Sequence, residues 1–161
     1  MADEKSSNEL KSILKSTKVG ELTLKVRTTL DPTDSVLSAA ALMRNRSHGS
    51  ALACVEDKLV GILTERDLLR VIEGGIDLTT PVCEVMTSDP QTVTNEDTLF
   101  DAICLMDTGG YRRVPVVDAT GAPLGIVDTK TVTHFLVEHF PAAVYNQASH
   151  SQLIAKNPEG A

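Results

Sequence analysis

Thr64-x-x-Asp67 follows the apolar run Gly61-Ile62-Leu63 and precedes Leu68-Leu69, so a strand should end and a helix begin at the threonine. The first turn of a helix has free N–H groups and the positive end of the helix dipole, which together favour an anion. The same spacing is also close to a capping box, in which Thr64 accepts from a free N–H and Asp67 faces the dipole. From the residues alone both readings stand. Arg112-Arg113 is the other notable feature: two adjacent cations at the mouth of a strand, in a chain of net charge −7. They are read either as an anion site or as surface and interface salt bridges. Tyr111 beside them either lines the same space or packs at the strand edge.

Other chemistries find little support. His134 and His139 are five positions apart, not the i, i+4 that puts two metal ligands on one helix face, and His48 has no second ligand cluster near it. No phosphate-cradling G-x-x-x-x-G-K-[ST] loop, G-x-S-x-G elbow or dinucleotide-binding glycine fingerprint is present. Gly109-Gly110 reads as a turn. Cys54, Cys83 and Cys104 are too few and too scattered for a disulfide framework, and are expected to be buried free thiols in a reducing compartment. Aromatic residues make up 3% of the chain and tryptophan is absent, which argues against a base-stacking platform. The negative charge argues against a binder of the nucleic-acid backbone. No apolar run is long enough for a membrane span, and the first residues lack the apolar core of a signal peptide, so a soluble, cytoplasmic chain is expected.

The elements that must position these residues occur twice. Asp34, Ala39, Leu42 and Met43 match Asp97, Ala102, Leu105 and Met106, each 63 positions on. Leu59-Val60-Gly61-Ile62-Leu63 matches Pro123-Leu124-Gly125-Ile126-Val127 at an offset of 64, the extra residue falling in the turn around Ala119-Thr120-Gly121-Ala122. Each copy reads as a short strand (25–30; 91–94) and an amphipathic helix (Val36, Ala39, Ala40, Met43; Leu99, Ala102, Ile103, Met106). Two apolar strands follow (51–55 with 58–63; 114–117 with 123–127), then a second helix (65–73; 129–138). Gly74-Gly75 should close the first of these helices. A β-α-β-β-α unit of about 60 residues is small to stand alone, so the two are expected to pack sheet to sheet around one core with pseudo-twofold symmetry, an α/β (α+β) fold. The expected divisions are a tail and short helix (1–18, helical from 8), copy one (19–77), copy two (78–140) and a C-terminal extension (141–161) that is polar and mobile towards its end.

This ordered repeat, with Val114-Pro115-Val116-Val117-Asp118 and Gly61-Ile62-Leu63-Thr64-Glu65-Arg66-Asp67, resembles a tandem pair of cystathionine-β-synthase (CBS) domains, a Bateman module. The resemblance covers about residues 19–140 and leaves no catalytic domain of conventional length, as in a free-standing pair. It implies a regulatory sensor with no catalytic cofactor, binding AMP, ADP, ATP or an adenosyl compound such as S-adenosylmethionine between the copies, often as a homodimer. Residue by residue, it implies that Gly61, Ile62, Thr64, Arg66 and Asp67 form the cleft. Thr64 would donate to a phosphate oxygen and Asp67 would accept from both ribose hydroxyls. Adenine would read backbone groups along Met86–Val93, a stretch that includes Pro90, Gln91 and Thr92. Tyr111, Arg112 and Arg113 would stand near the phosphate end, where a guanidinium fork suits the oxygens. The second copy departs from the pattern, with Asp128 for Thr64 and Thr131 for Asp67. An anionic side chain facing a phosphate is unfavourable, so no phosphorylated nucleotide is expected there in the usual pose.

A different class of function remains beside this one: a nucleotide-independent dimeric scaffold that docks a partner protein, which the altered second copy favours. An enzyme is the weakest reading, since no nucleophile stands beside a base.

Overall fold

The computed structural model describes residues 2–140; the expected C-terminal extension lies outside the described residues. Helix α1 (Ala2–Ser16) leads through a 3-10 turn (Val19–Glu21) to β1 (Thr29–Leu30), α2 (Val36–Arg46), β2 (Ser50–Val55), β3 (Lys58–Thr64) and α3 (Glu65–Glu73). A second 3-10 turn (Val82–Glu84) precedes β4 (Thr87–Ser88), β5 (Val93–Thr94), α4 (Leu99–Gly109), β6 (Arg113–Val117), β7 (Pro123–Asp128) and α5 (Thr129–His139). One sheet has the order β1-β2-β3-β4 and the other β5-β6-β7, giving the mixed α+β architecture expected from the repeat.

Local sequence explains the elements. The β2–β3 hairpin turns on Glu56 and Asp57, both at positive φ (48° and 62°), the primed-turn conformation that matches strand twist. The longer β6–β7 turn is held by Asp118, whose Oδ1 accepts from the Thr120 and Ala122 N–H groups at 2.8 and 3.0 Å. On α2 the buried positions are Val36, Ala39 and Met43, and on α4 they are Leu99, Ala102 and Met106, the faces read from spacing. Leu52, Ile62 and Ile126 form a buried cluster drawn from both sheets, with Cys54 and Leu59 packed against it.

The expected first strand, 25–30, pairs with β2 only at Thr29 and Leu30; Lys25 instead bridges Ile126 of the other sheet. The chain crosses from one sheet to the other between them. Likewise only Val93–Thr94 of the expected 91–94 strand pairs, because the chain turns at Asp89 (φ 46°) and Pro90 has no N–H to donate. The N-terminal helix starts earlier than expected and stops at Ser16, where Lys18 turns extended to bridge Thr98.

The crossing between the sheets is made by backbone hydrogen bonds. Val19 N–H donates to Asp97 O and Val82 N–H to Asp34 O, each at 2.8 Å; Leu99 N–H donates to Thr17 O and Val36 N–H to Thr80 O, each at 2.9 Å. The segment that opens each copy therefore docks on the other copy. Residues 17–25 serve the second sheet and residues 80–88 the first, with β4 pairing antiparallel to β3. Helix α1 belongs to the same exchange: Leu10, Ile13 and Leu14 pack in the core of the second copy with Phe100 and Met106.

The cysteines correct an expectation. Cys54 is half-buried, and burial raises its thiol pKa, but Cys83 and Cys104 are exposed. Cys104 falls off the buried Leu99–Ala102–Met106 face of α4.

Candidate functional site

Strand β3 ends and α3 begins at Thr64, which adopts extended backbone (φ −124°, ψ 164°) as N-cap. The capping box is complete. Thr64 N–H and Thr64 Oγ1–H both donate to Asp67 Oδ2, at 2.8 and 2.6 Å, and Asp67 N–H donates to Thr64 Oγ1 at 3.4 Å. Asp67 is 5% exposed, and its other oxygen lies 3.6 Å from Arg70 Nη1. Thus the Thr64 hydroxyl proton, expected to serve a phosphate, points back to Asp67. Thr98 and Asp101 build the same box on α4, so Thr-x-x-Asp alone is a capping device here. What sets Thr64–Asp67 apart is position, at the end of the sheet that β4 extends.

Met86 precedes β4 and packs with the first core, although it belongs to the second copy in sequence. Its thioether lies over Gly61: a Cβ there would collide with Sδ and stand 2.6 Å from Cε. The structure therefore sets Met86 against Gly61 within β3, beside Ile62, and Thr64 against Asp67 where that strand ends. Pro90 follows half-buried, while Gln91 and Thr92 are exposed, as is Arg66 on the outer side of the first α3 turn.

Tyr111 is 42% exposed and its ring lies against Gly109. Arg112 is exposed; its carbonyl accepts from Thr129 N–H at 3.2 Å, binding β6 to the start of α5. Arg113 is the more enclosed of the two and reaches the first copy, its Nη2 3.5 Å from Glu65 Oε2.

The second copy has the same box with its residues exchanged. Asp128 Oδ1 accepts from Thr131 N–H at 2.9 Å and from Thr131 Oγ1–H at 3.0 Å. The carboxylate now stands at the N-cap, 4% exposed, and Lys25 Nζ donates to its Oδ2 at 2.9 Å. Burial by itself raises the Asp128 pKa, but the hydrogen bonds from Lys25 and Thr131 together hold the carboxyl below its ordinary value. Lys25, Val26, His48, Ser50, Arg113 and Asp128 are among the residues that line a cavity of about 10 Å³ beside this pair. That is room for about one water. Lys25 was invisible as a site residue because its partner lies in the other copy; its place opposite the exchanged Asp128 follows only once the crossover is known.

Among the described residues each histidine has a partner. His48 Nδ1 lies 2.6 Å from Thr28 Oγ1, His134 Nε2 3.1 Å from Glu138, and His139 Nδ1 2.9 Å from Phe135 O. Among the described residues no cluster of His, Cys, Asp and Glu has a metal-holding arrangement, and no helix is long and apolar enough to cross a membrane.

Comparison with known proteins agrees with this architecture. The family profile "CBS domain" matches twice, at residues 19–74 and 82–138. The chain is 33% identical over 142 residues to the CBS domain-containing protein CBSCBSPB5 of Arabidopsis thaliana, covering 86% of this chain and 26% of that protein. It thus spans about a quarter of that relative's length. Among solved structures, a CBS domain protein from Pyrobaculum aerophilum complexed with AMP superposes with a TM-score of 0.67 at 26% identity, covering 71% of this chain and 88% of that one. CBSX2 in complex with AMP gives 0.66 at 26% identity, covering 76% and 98%. With both copies matched in sequence and in fold, the chain belongs to the CBS domain family and carries a tandem CBS pair.

Proposed function

We propose that this CBS pair is a cytoplasmic, non-enzymatic sensor that binds one adenine nucleotide per chain in the cleft at Thr64 and Asp67. The observation that carries the reading is the contrast between the two clefts. The first presents an uncharged N-cap at the head of α3, with glycine at the strand end and the Met86–Thr92 stretch beside it. The second presents a carboxylate already matched by Lys25. That structural neighbours at 26% identity were solved with AMP supports the ligand class. In this reading Asp67 turns its Arg70-facing oxygen to the ribose, Met86 swings off Gly61, and Arg113, with Arg112 and Tyr111 near it, meets the phosphate. Arg66, Ile62, Pro90, Gln91 and Thr92 frame the pocket. Melting-point shifts with AMP, ADP, ATP and S-adenosylmethionine test it. A shift with at least one of them that Asp67→Ala abolishes supports the site; no shift with any, or one unchanged in Asp67→Ala, refutes it.

A second reading, a dimeric scaffold docking a partner, is favoured by the outer helices of the first copy. Leu37 on α2 and Leu69 and Ile72 on α3 are 57%, 67% and 70% exposed. Leu69 and Ile72, three positions apart, share one face of α3, and exposed apolar surface on one face marks association. We propose a homodimer through this face; light scattering of Leu69→Glu against the unmodified chain tests it.

A further inference from the structure

The ion pair between Arg113 and Glu65 joins the two copies, and it exists on one side only. By the repeat, Arg113 corresponds to Ser50 and Glu65 to Thr129, so the symmetry-related position carries no charge. The backbone around it is symmetric, with Glu65 N–H donating to Gly49 O and Thr129 N–H to Arg112 O, each at 3.2 Å. The side chains break that symmetry. Gly49 makes room for them: a Cβ there would collide with the guanidinium and stand 2.7 Å from Glu65 Oε2.

Glu65 is the first residue of α3, directly after Thr64. An anion drawn to that helix start would meet two opposing charges, the Glu65 carboxylate and the Arg113 guanidinium now paired with it. At 3.5 Å, with side-chain exposures of 26% for Arg113 and 67% for Glu65, the pair is loose enough to exchange partners. We propose that Glu65 is a specificity-determining residue that competes with a ligand phosphate for Arg113. The phosphate gains Arg113 only by taking it from Glu65, so the charge of the ligand is coupled to the contact between copies. Adenosine, having no phosphate, leaves the pair in place. This proposal rests on the nucleotide reading of the first cleft.

The test is calorimetric titration of AMP and of adenosine into the full chain and its Glu65→Gln and Arg113→Gln variants. Glu65→Gln is expected to tighten AMP by about three- to fivefold, the scale of one partly exposed ion pair, and to leave adenosine unchanged. Arg113→Gln is expected to weaken AMP and leave adenosine unchanged. If wild type binds AMP but Glu65→Gln does not change its affinity, or tightens adenosine equally, the competition is refuted while the cleft reading stands. If neither ligand binds wild type or Glu65→Gln, the competition is refuted, and the cleft reading falls with it only when ADP, ATP and S-adenosylmethionine also fail to bind.

Discussion

Lys25 Nζ stands 2.9 Å from Asp128 Oδ2, so a residue that opens the first copy pairs with the N-cap of α5 in the second. The contact depends on the crossover of the 17–25 segment onto the second sheet, where Leu24 and Lys25 run against Gly125 and Ile126. Asp128 therefore fills the helix start that Thr64 leaves uncharged in the other copy.

Stability should fall in acid through Asp128. Its carboxyl is held below its ordinary value in the fold, so at low pH the unfolded chain binds the proton more readily than the folded one, and stability rises with pH. The contribution is fully present above the unfolded carboxylate pKa of about 3.9 and is lost as pH falls through the lower folded value. Asp128→Asn should flatten this acid limb in urea unfolding measured from pH 2 to 7, whereas an unchanged limb would place the effect elsewhere.

The Thr64 cap should contribute to stability without any ligand. Thr64→Ala removes the acceptor for Asp67 N–H and should cost about 1 kcal/mol. That corresponds to a melting point lower by about 2–4 °C for a chain of this size. Thr98→Ala, which breaks the equivalent box on α4, should cost a similar amount in the same thermal scan and leave nucleotide binding intact.

Leu52 lies at 0% exposure between the sheets, against Ile62 and Ile126. Leu52→Ala should cost about 2–5 kcal/mol and unfold both copies in one transition, since the cluster belongs to both. Two separated transitions by calorimetry would show instead that the copies melt independently.

Gly125 accommodates the crossing segment. A Cβ there would stand 2.8 Å from Leu24 Cβ and 3.1 Å from Lys25 O, backbone-anchored atoms that cannot swing aside. Gly125→Ala should lift residues 24–25 from β7 and expose Lys25 N–H, whose bond to Ile126 O is 3.4 Å, to faster hydrogen exchange. Gly61→Ala meets only the flexible end of Met86 and should be milder by the same measurement.

The repeat was legible because it lies in side chains: apolar positions on α2 and α4, hairpin residues, and the Gly-apolar-apolar strand ends all recur. The exchange of opening segments was not, because it is made by backbone groups. Val19 N–H to Asp97 O and Val82 N–H to Asp34 O carry no residue signature. Losing that exchange also concealed Lys25, and made 25–30 read as one strand when its two ends serve different sheets. The Thr64-x-x-Asp67 box was legible from its spacing and forms, and Met86, from the second copy, lies against Gly61. The pairing of Arg113 with Glu65 was not, since its partners are 48 positions apart and only Gly49, by its lack of a side chain, marks the space between them.

The two clefts are expected to be unequal in ligand binding, and stoichiometry measures that most directly. Calorimetric titration of AMP into the full chain should give one site per chain, and Asp67→Ala should abolish it. The Lys25→Ala, Asp128→Thr, Thr131→Asp triple variant should raise the count to two. Two sites in the unmodified chain, or one site that survives Asp67→Ala, would contradict it.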